Sequence, residues 1–183
     1  MTYLTRNYFL FVAMSMLMCM TFSTSIMAQP YGKGIYDANV PYGKETSLSI
    51  GSSGNVSIQI TPTDSATLGT GNSTVTVTST DVVGYKLYIR SVGTTNMENG
   101  PDSLQTSVNG SPATLVTNTW GYNLNASANF VGSSLSDTLI KTASGPFSGG
   151  DNTVVTFGVN IDNNKPAGNY NTVVQYTAVP QTD

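Results

Sequence analysis

Apolar and polar residues alternate in several short stretches of the chain, the period of two that β-strands with one buried face require. The alternation is clearest near the end, over Thr153–Ile161 and Tyr170–Ala178. Lys165-Pro-Ala-Gly168 separates these stretches, and Pro close to Gly interrupts a strand ladder. The pattern therefore predicts two strands joined by a loop. The residues predicted to face the core are Val155, Phe157, Val159, Ile161, Tyr170, Val174, Tyr176 and Ala178.

Shorter alternating stretches precede this pair. We expect Thr46–Ile50 and Asn55–Ile60 to form a hairpin, because the four residues between them are small, polar and rich in Gly. Thr63–Asn72 is rich in Thr, Asp and Gly, which predicts a loop. The other predicted strands are Ser73–Ser79, Tyr85–Arg90, Leu104–Val108, Asn118–Leu124 and Leu139–Thr142.

The number and spacing of these strands predict an all-β fold. Eight or nine short strands with turn signals roughly every 8–12 residues are typical of a sandwich, so we expect an antiparallel, immunoglobulin-like β-sandwich. A closed barrel is the alternative, because periodicity does not distinguish it from two packed sheets. The predicted organisation is a leader over 1–28, an arm over 29–45, the sandwich over 46–179 and a tail over 180–183.

The N-terminal residues have the plan of a secretory signal peptide, which we expect to be a short helix. Arg6 precedes the apolar run Tyr8–Met20, and small and polar residues lead to Ala28. A membrane anchor would need about 20 apolar residues, and polar residues from Thr21 onward interrupt the run. We expect cleavage before Gln29 and an exported chain, secreted or on the cell surface, with no membrane contact afterwards.

A stretch rich in Gly, Pro and Tyr follows the leader and shows no sustained period. Tyr31, Tyr36 and Tyr42 are spaced along it. Aromatic rings give a large contact area at low entropic cost. The arm is therefore either a spacer or an assembly segment that pairs with a neighbouring molecule or surface.

Charge and residue types exclude several classes of function. Charged residues are 9% of the chain, against roughly 25% in a typical domain. Without Arg6, six basic residues face ten acidic ones, a net charge of about −4; nucleic acid and anionic membranes are poor partners for such a surface. The chain has no His, and its one Cys is Cys19 in the leader. Ser-His-Asp triads, Cys nucleophiles and most transition-metal sites are thereby excluded. We expect no cofactor.

The acidic residues give no clear catalytic or metal site. Glycosidases need a pair of carboxylates, but no pair stands out, and most Asp residues lie in predicted turns, where Asp is favoured. Asp162-Asn-Asn164 and Asp151-Asn152 could offer oxygens to calcium. Turn chemistry is the better explanation of these runs, because the spaced calcium-loop pattern is missing. We expect neither an enzyme nor a metal site.

Four aromatic residues are the candidate ligand or core positions of the predicted sandwich. Trp120, with Tyr122 beside it on the same strand face, either fills the core together with Leu124 or offers a platform for a sugar ring. Tyr170 and Tyr176 lie in the last predicted strand and carry the same two alternatives.

The motifs around Trp120 and the C-terminal strand resemble those of small secreted bacterial surface proteins. Thr119-Trp-Gly-Tyr-Asn-Leu124 is followed downstream by Lys165-Pro-Ala-Gly-Asn-Tyr170 and Thr172–Val179. This layout is distantly similar to the WxL cell-wall-binding domain, which carries two Trp-x-Leu motifs, the second in its last strand. Trp120-Gly-Tyr122 and Tyr176-Thr-Ala178 stand where those motifs would be. The resemblance implies a single β-sandwich and association with the bacterial cell wall.

Together these features predict an exported, non-enzymatic surface or extracellular protein that acts in adhesion, cell-wall association or assembly. Cell-wall polysaccharide, other surface proteins and further copies of the chain are the expected partners. A carbohydrate-binding module is the second hypothesis and a secreted hydrolase the third.

Overall fold

The computed structural model describes residues 47–181, and nine β-strands make up its regular structure. Within that range there is no helix. The predicted signal peptide and the arm with Tyr31, Tyr36 and Tyr42 lie outside the described residues. The strands are β1 (Ser47–Ser52), β2 (Thr67–Thr80), β3 (Gly84–Val92), β4 (Met97–Asn99), β5 (Asp102–Thr106), β6 (Thr119–Asn123), β7 (Thr138–Ser144), β8 (Phe147–Ile161) and β9 (Val173–Gln181).

The strands form two sheets, as the predicted sandwich requires. Six strands make the larger sheet, in the order β1-β2-β8-β6-β5-β4, and three make the smaller, in the order β7-β3-β9. Neighbouring strands are antiparallel except β5 and β6, which run parallel where Gln105 pairs with Thr119. The predicted all-β class is therefore confirmed.

The ladder between β2 and β8 is the longest in the molecule. It runs from Thr67 opposite Ile161 to Val77 opposite Asp151, and an irregularity follows between Val77 and Ser79. Long, regular pairing of this kind satisfies most backbone groups of both strands. β2 and β8 thus form the frame on which the other strands of the larger sheet are arranged.

The core lies between the sheets and is built from alternating residues, as predicted. Every second residue of β3 and the C-terminal half of β2 is almost completely buried. The same alternation places three predicted residues of β8 in the core, and three of β9 are partly buried against it. The core residues from these strands and β6 include Val75, Val77, Tyr85, Leu87, Ile89, Trp120, Tyr122, Val155, Phe157 and Val159.

The predicted N-terminal hairpin is wrong. β1 pairs with β2, with Ser47 opposite Thr80, rather than with residues 55–60, which join neither sheet. The predicted loop Thr63–Asn72 is also partly wrong, because β2 begins at Thr67. Its Gly and Thr residues gave no apolar alternation to reveal the strand.

The two C-terminal strands do not pair with each other, since β8 lies in the larger sheet and β9 in the smaller. Both extend beyond their predicted bounds. β8 begins at Phe147, and β9 continues through Pro180 to Gln181, into the predicted tail. β6 ends at Asn123, so Leu124 leaves the core face and is 41% exposed.

Candidate functional site

Trp120 is buried in the core, with 0% of its surface exposed. Its indole Nε1 donates a hydrogen bond to the carbonyl oxygen of Thr95 at 3.0 Å, which satisfies the one polar atom of the side chain. A sugar ring stacks only on an exposed aromatic face. In this structure the indole ring serves the core, one of the two alternatives given by the sequence.

Tyr122 and Tyr176 bring phenol groups from the two sheets into the interior. Tyr122, on β6, is 3% exposed, and burial raises the pKa of its hydroxyl. Burial also raises the pKa of Tyr176, on β9, to about 12; the hydroxyl of Ser73 lowers it slightly and Tyr122 raises it further. Both tyrosines are therefore neutral core residues with polar ends.

Tyr170 differs from the other three aromatic residues because its hydroxyl group bonds to a loop. Its hydroxyl donates to the carbonyl oxygen of Pro166 at 2.9 Å and so closes the loop that precedes β9. The four predicted aromatic positions do not form one exposed surface. Their common role in this structure is packing and loop closure.

A groove opens where the end of β6 meets β7, and it is the candidate functional site. Its volume is about 450 Å³, within the range of small-ligand pockets. Leu124 and Leu139 stand in it with 41% and 49% of their surfaces exposed. The lining residues are Asn109, Gly110, Pro112, Tyr122, Asn123, Leu124, Asn125, Val131, Gly132, Thr138, Leu139 and Ile140. None of them is charged.

Amide side chains fix the shape of the groove. The Nδ2 of Asn109 lies 3.2 Å from the carbonyl oxygens of Ala113, Thr114 and Phe130, and so ties three loop segments together. Asn123 is 4% exposed and donates from Nδ2 to the carbonyl of Ser127 at 2.9 Å. Its Oδ1 is buried and accepts no hydrogen bond from the residues that the structure describes.

A charged cluster joins the two sheets outside the groove. On β7, Lys141 places Nζ 2.7 Å from Oδ1 of Asp151 on β8, and the hydroxyl of Tyr85 on β3 donates to Oδ2 of Asp151 at 2.7 Å. Burial acts to raise the pKa of Asp151, but the bonds from Lys141 and Tyr85 outweigh it and lower the pKa below the ordinary value. The carboxylate is thus held ionised between the sheets.

The loop with Asp162, which the sequence offered as a calcium site, is closed by hydrogen bonds. Asn118 and Asn164 each donate to the Asp162 carboxylate, and these bonds lower its pKa. Asn163 donates to Asp64. Across the described range, no three His, Cys, Asp or Glu side chains come together in a way that could hold a metal ion.

The groove was not predicted from the sequence. Its residues come from the end of β6, from β7 and from irregular segments around positions 109–112 and 124–132. Leu124 gave no signal in the sequence, because it continues the alternation of Trp120 and Tyr122; its outward position follows from the end of β6 at Asn123 in the structure.

Comparisons with protein-family models, curated proteins and solved structures found no match for the chain. The residues from 47 to 181 include no helix of the length and apolarity needed to cross a membrane.

Proposed function

We propose that the chain is an exported, non-enzymatic surface or extracellular protein whose immunoglobulin-like sandwich serves adhesion, cell-wall association or assembly. The uncharged groove between the end of β6 and β7 is the observation that carries this proposal. It offers a concave surface with exposed leucines and amides on a rigid β framework, the arrangement expected of a binding site. The leader with Arg6 and Ala28 supports export.

The lining of the groove suggests the chemistry of its ligand. Leu124 and Leu139 supply apolar contact, and Asn125 and Thr138 add polar groups at exposed positions. With no charged lining residue, recognition depends on apolar contact and neutral hydrogen bonds rather than on ion pairs. A neutral segment of cell-wall polysaccharide or of another surface protein fits these properties.

Asp151 and Asp162, whose pKa values are perturbed, do not fit the role of a general acid. A general acid in a glycosidase needs a raised pKa, whereas the pKa values of Asp151 and Asp162 are lowered. Each carboxylate is also engaged by hydrogen bonds within the fold. We propose structural roles for both.

A binding experiment with matched leucine variants tests the groove. We expect the full chain, produced with its leader, to bind isolated cell walls. Leu139→Asn and Leu124→Asn should each weaken binding about tenfold, a change of about 1.4 kcal/mol. Leu68→Asn is the control, because Leu68 is 43% exposed and does not line the groove. Equal binding by all three variants and the unaltered chain would refute the proposal that the groove is the binding site.

The carbohydrate-binding module is the second candidate function, and the amide-rich, uncharged lining favours it over a charged protein interface. Its test uses walls stripped of protein and, separately, walls stripped of polysaccharide. Binding that survives removal of protein and changes little with salt supports a glycan ligand. Binding lost with the protein fraction assigns the groove to a surface protein.

A further inference from the structure

The segment after β1 is extended and apolar, yet it belongs to neither sheet. Val56, Ile58 and Ile60 are partly buried against the core, while Ser57 and Gln59 are exposed, the alternation of a strand. Ser53 makes the last backbone hydrogen bond before it, to Thr74 at 2.9 Å. Among the described residues, nothing hydrogen-bonds to the backbone of residues 54–62. We call residues 55–60 the unpaired segment.

Two glycines of β2 form the floor beneath this segment. A Cβ atom at Gly69 would lie 2.5 Å from Cγ1 of Ile60, and one at Gly71 would lie 2.6 Å from Cγ1 of Val56. Distances this short mean that the side chains rest directly on the glycine backbone. The segment is therefore held by shape complementarity and apolar contact, without the ladder that fixes the strands beside it.

The segment lies near the start of the described residues, and an exposed loop connects it to β2. It follows β1, an edge strand of the larger sheet, and these are the first two elements of the described chain. Residues 61–66, which connect it to β2, are all exposed. Opening requires separation of β1 from β2 and from β9, which β1 also contacts. It also releases Leu48, Val56, Ile58 and Ile60 from the core, while the β2–β8 ladder stays intact.

We propose that the N-terminal unit, β1 with the unpaired segment, exchanges between two copies of this chain. In the exchanged dimer, Val56 and Ile60 of each copy lie on the Gly71 and Gly69 floor of the other. The occupant is a second copy because the segment already fits this floor in its own molecule. Exchange preserves these contacts, so such dimers form at low energetic cost, and chain concentration sets their fraction.

Single cysteines placed on opposite sides of the contact test the exchange. In a Cys19→Ser background the chain has no other Cys. One preparation carries Val56→Cys and another Gly71→Cys, so a disulfide between them joins only two different molecules. Because the Gly71 Cβ position lies 2.6 Å from Cγ1 of Val56, the sulfur atoms are within bonding reach once exchanged.

We expect a covalent heterodimer after mixing and oxidation, in a fraction that rises with chain concentration, with peptide mapping that shows the 56–71 linkage. Ser57→Cys mixed with Gly71→Cys is the control for random oxidation, because Ser57 is exposed. A double variant with Val56→Cys and Gly71→Cys shows that the disulfide can form. If the double variant closes as a monomer while the mixed single variants yield no more heterodimer than the control, the exchange is refuted.

Discussion

The buried side chain of Trp120 should make a large contribution to the stability of the fold. The indole is fully buried and its nitrogen is satisfied by Thr95. We expect Trp120→Ala to lower the free energy of unfolding by about 3–5 kcal/mol, against a total of about 5–15 for a typical domain. Denaturant titration measures the loss.

Trp120→Phe separates packing from hydrogen bonding at the same position. It keeps an aromatic ring and removes the bond to Thr95, so its cost should be clearly smaller than that of Trp120→Ala. An alanine variant with an unchanged unfolding midpoint would contradict the buried position of the ring.

Asp151 makes stability depend on pH. Its folded-state pKa is lowered by Lys141 and Tyr85. The stabilisation is therefore present above the ordinary carboxyl pKa of about 3.9 and is lost as pH falls through the lower folded value. We expect the free energy of unfolding to decline below about pH 4.

Asp151→Asn should be less stable at neutral pH and should lose less stability on acidification than the unaltered chain. Asp137→Asn is the control. The Asp137 side chain is 52% exposed and forms a surface ion pair with Arg90 at 3.7 Å, and such exposed pairs contribute little to stability. Parallel unfolding curves for Asp151→Asn and the unaltered chain across acid pH would contradict the assigned role.

At the scale of elements, the short β4, in which only Met97 is apolar, was not predicted, whereas strands that carry several alternating apolar side chains were. β3 and the second half of β2 are such cases. The first half of β2 could not be predicted this way, because Gly69 and Gly71 have no side chains and Val56 and Ile60 cover them instead. The apolar side chains that cover the first half of β2 therefore belong to residues 55–60, and the sequence of β2 itself does not show that the strand begins at Thr67.

The candidate site was harder to predict than the core, for a related reason. Trp120 and Tyr122 lie on a regular strand, so their period placed them on one face, and the structure shows that this face lies in the core. The groove depends on hydrogen bonds between irregular segments, such as that of Asn109 to the carbonyl oxygen of Phe130, 21 residues away. Local patterns carry no information about such partners.

The packing of β8 against Phe130 gives a prediction at the same scale. A Cβ atom at Gly158 would lie 2.4 Å from the ring of Phe130, which is fully buried. We expect Gly158→Ala to destabilise the fold by about 1–3 kcal/mol through overpacking. Thermal or denaturant unfolding checks this value.

Gly149→Ala is the matched control in the same strand, because a Cβ atom there meets nothing within 4 Å. Its effect should stay within about 0.5 kcal/mol. If both alanine variants have the same free energy of unfolding as the unaltered chain, the Phe130 ring can move to make room for the added methyl group. The close contact at Gly158 would then not contribute to stability.

At the scale of the whole molecule, export is the feature that the N-terminal sequence predicts. We expect the native protein to begin at Gln29, because Ala28 ends the small, polar stretch after the apolar run. Mass spectrometry of protein recovered from cells and medium measures the N-terminus. An intact Met1 on the native protein would contradict cleavage and favour a retained membrane anchor.

The β2–β8 ladder also sets when folding can begin. Thr67 pairs with Ile161 and Val77 with Asp151, so the frame of the larger sheet cannot close until residues up to Ile161 have been synthesised. Sheets with such distant pairings fold slowly, on the order of milliseconds to seconds. Until that point in synthesis the two strands of this ladder stay unpaired, which is the state that the proposed export requires. The same ladder that frames the larger sheet thus delays its formation, a property that suits the export we propose.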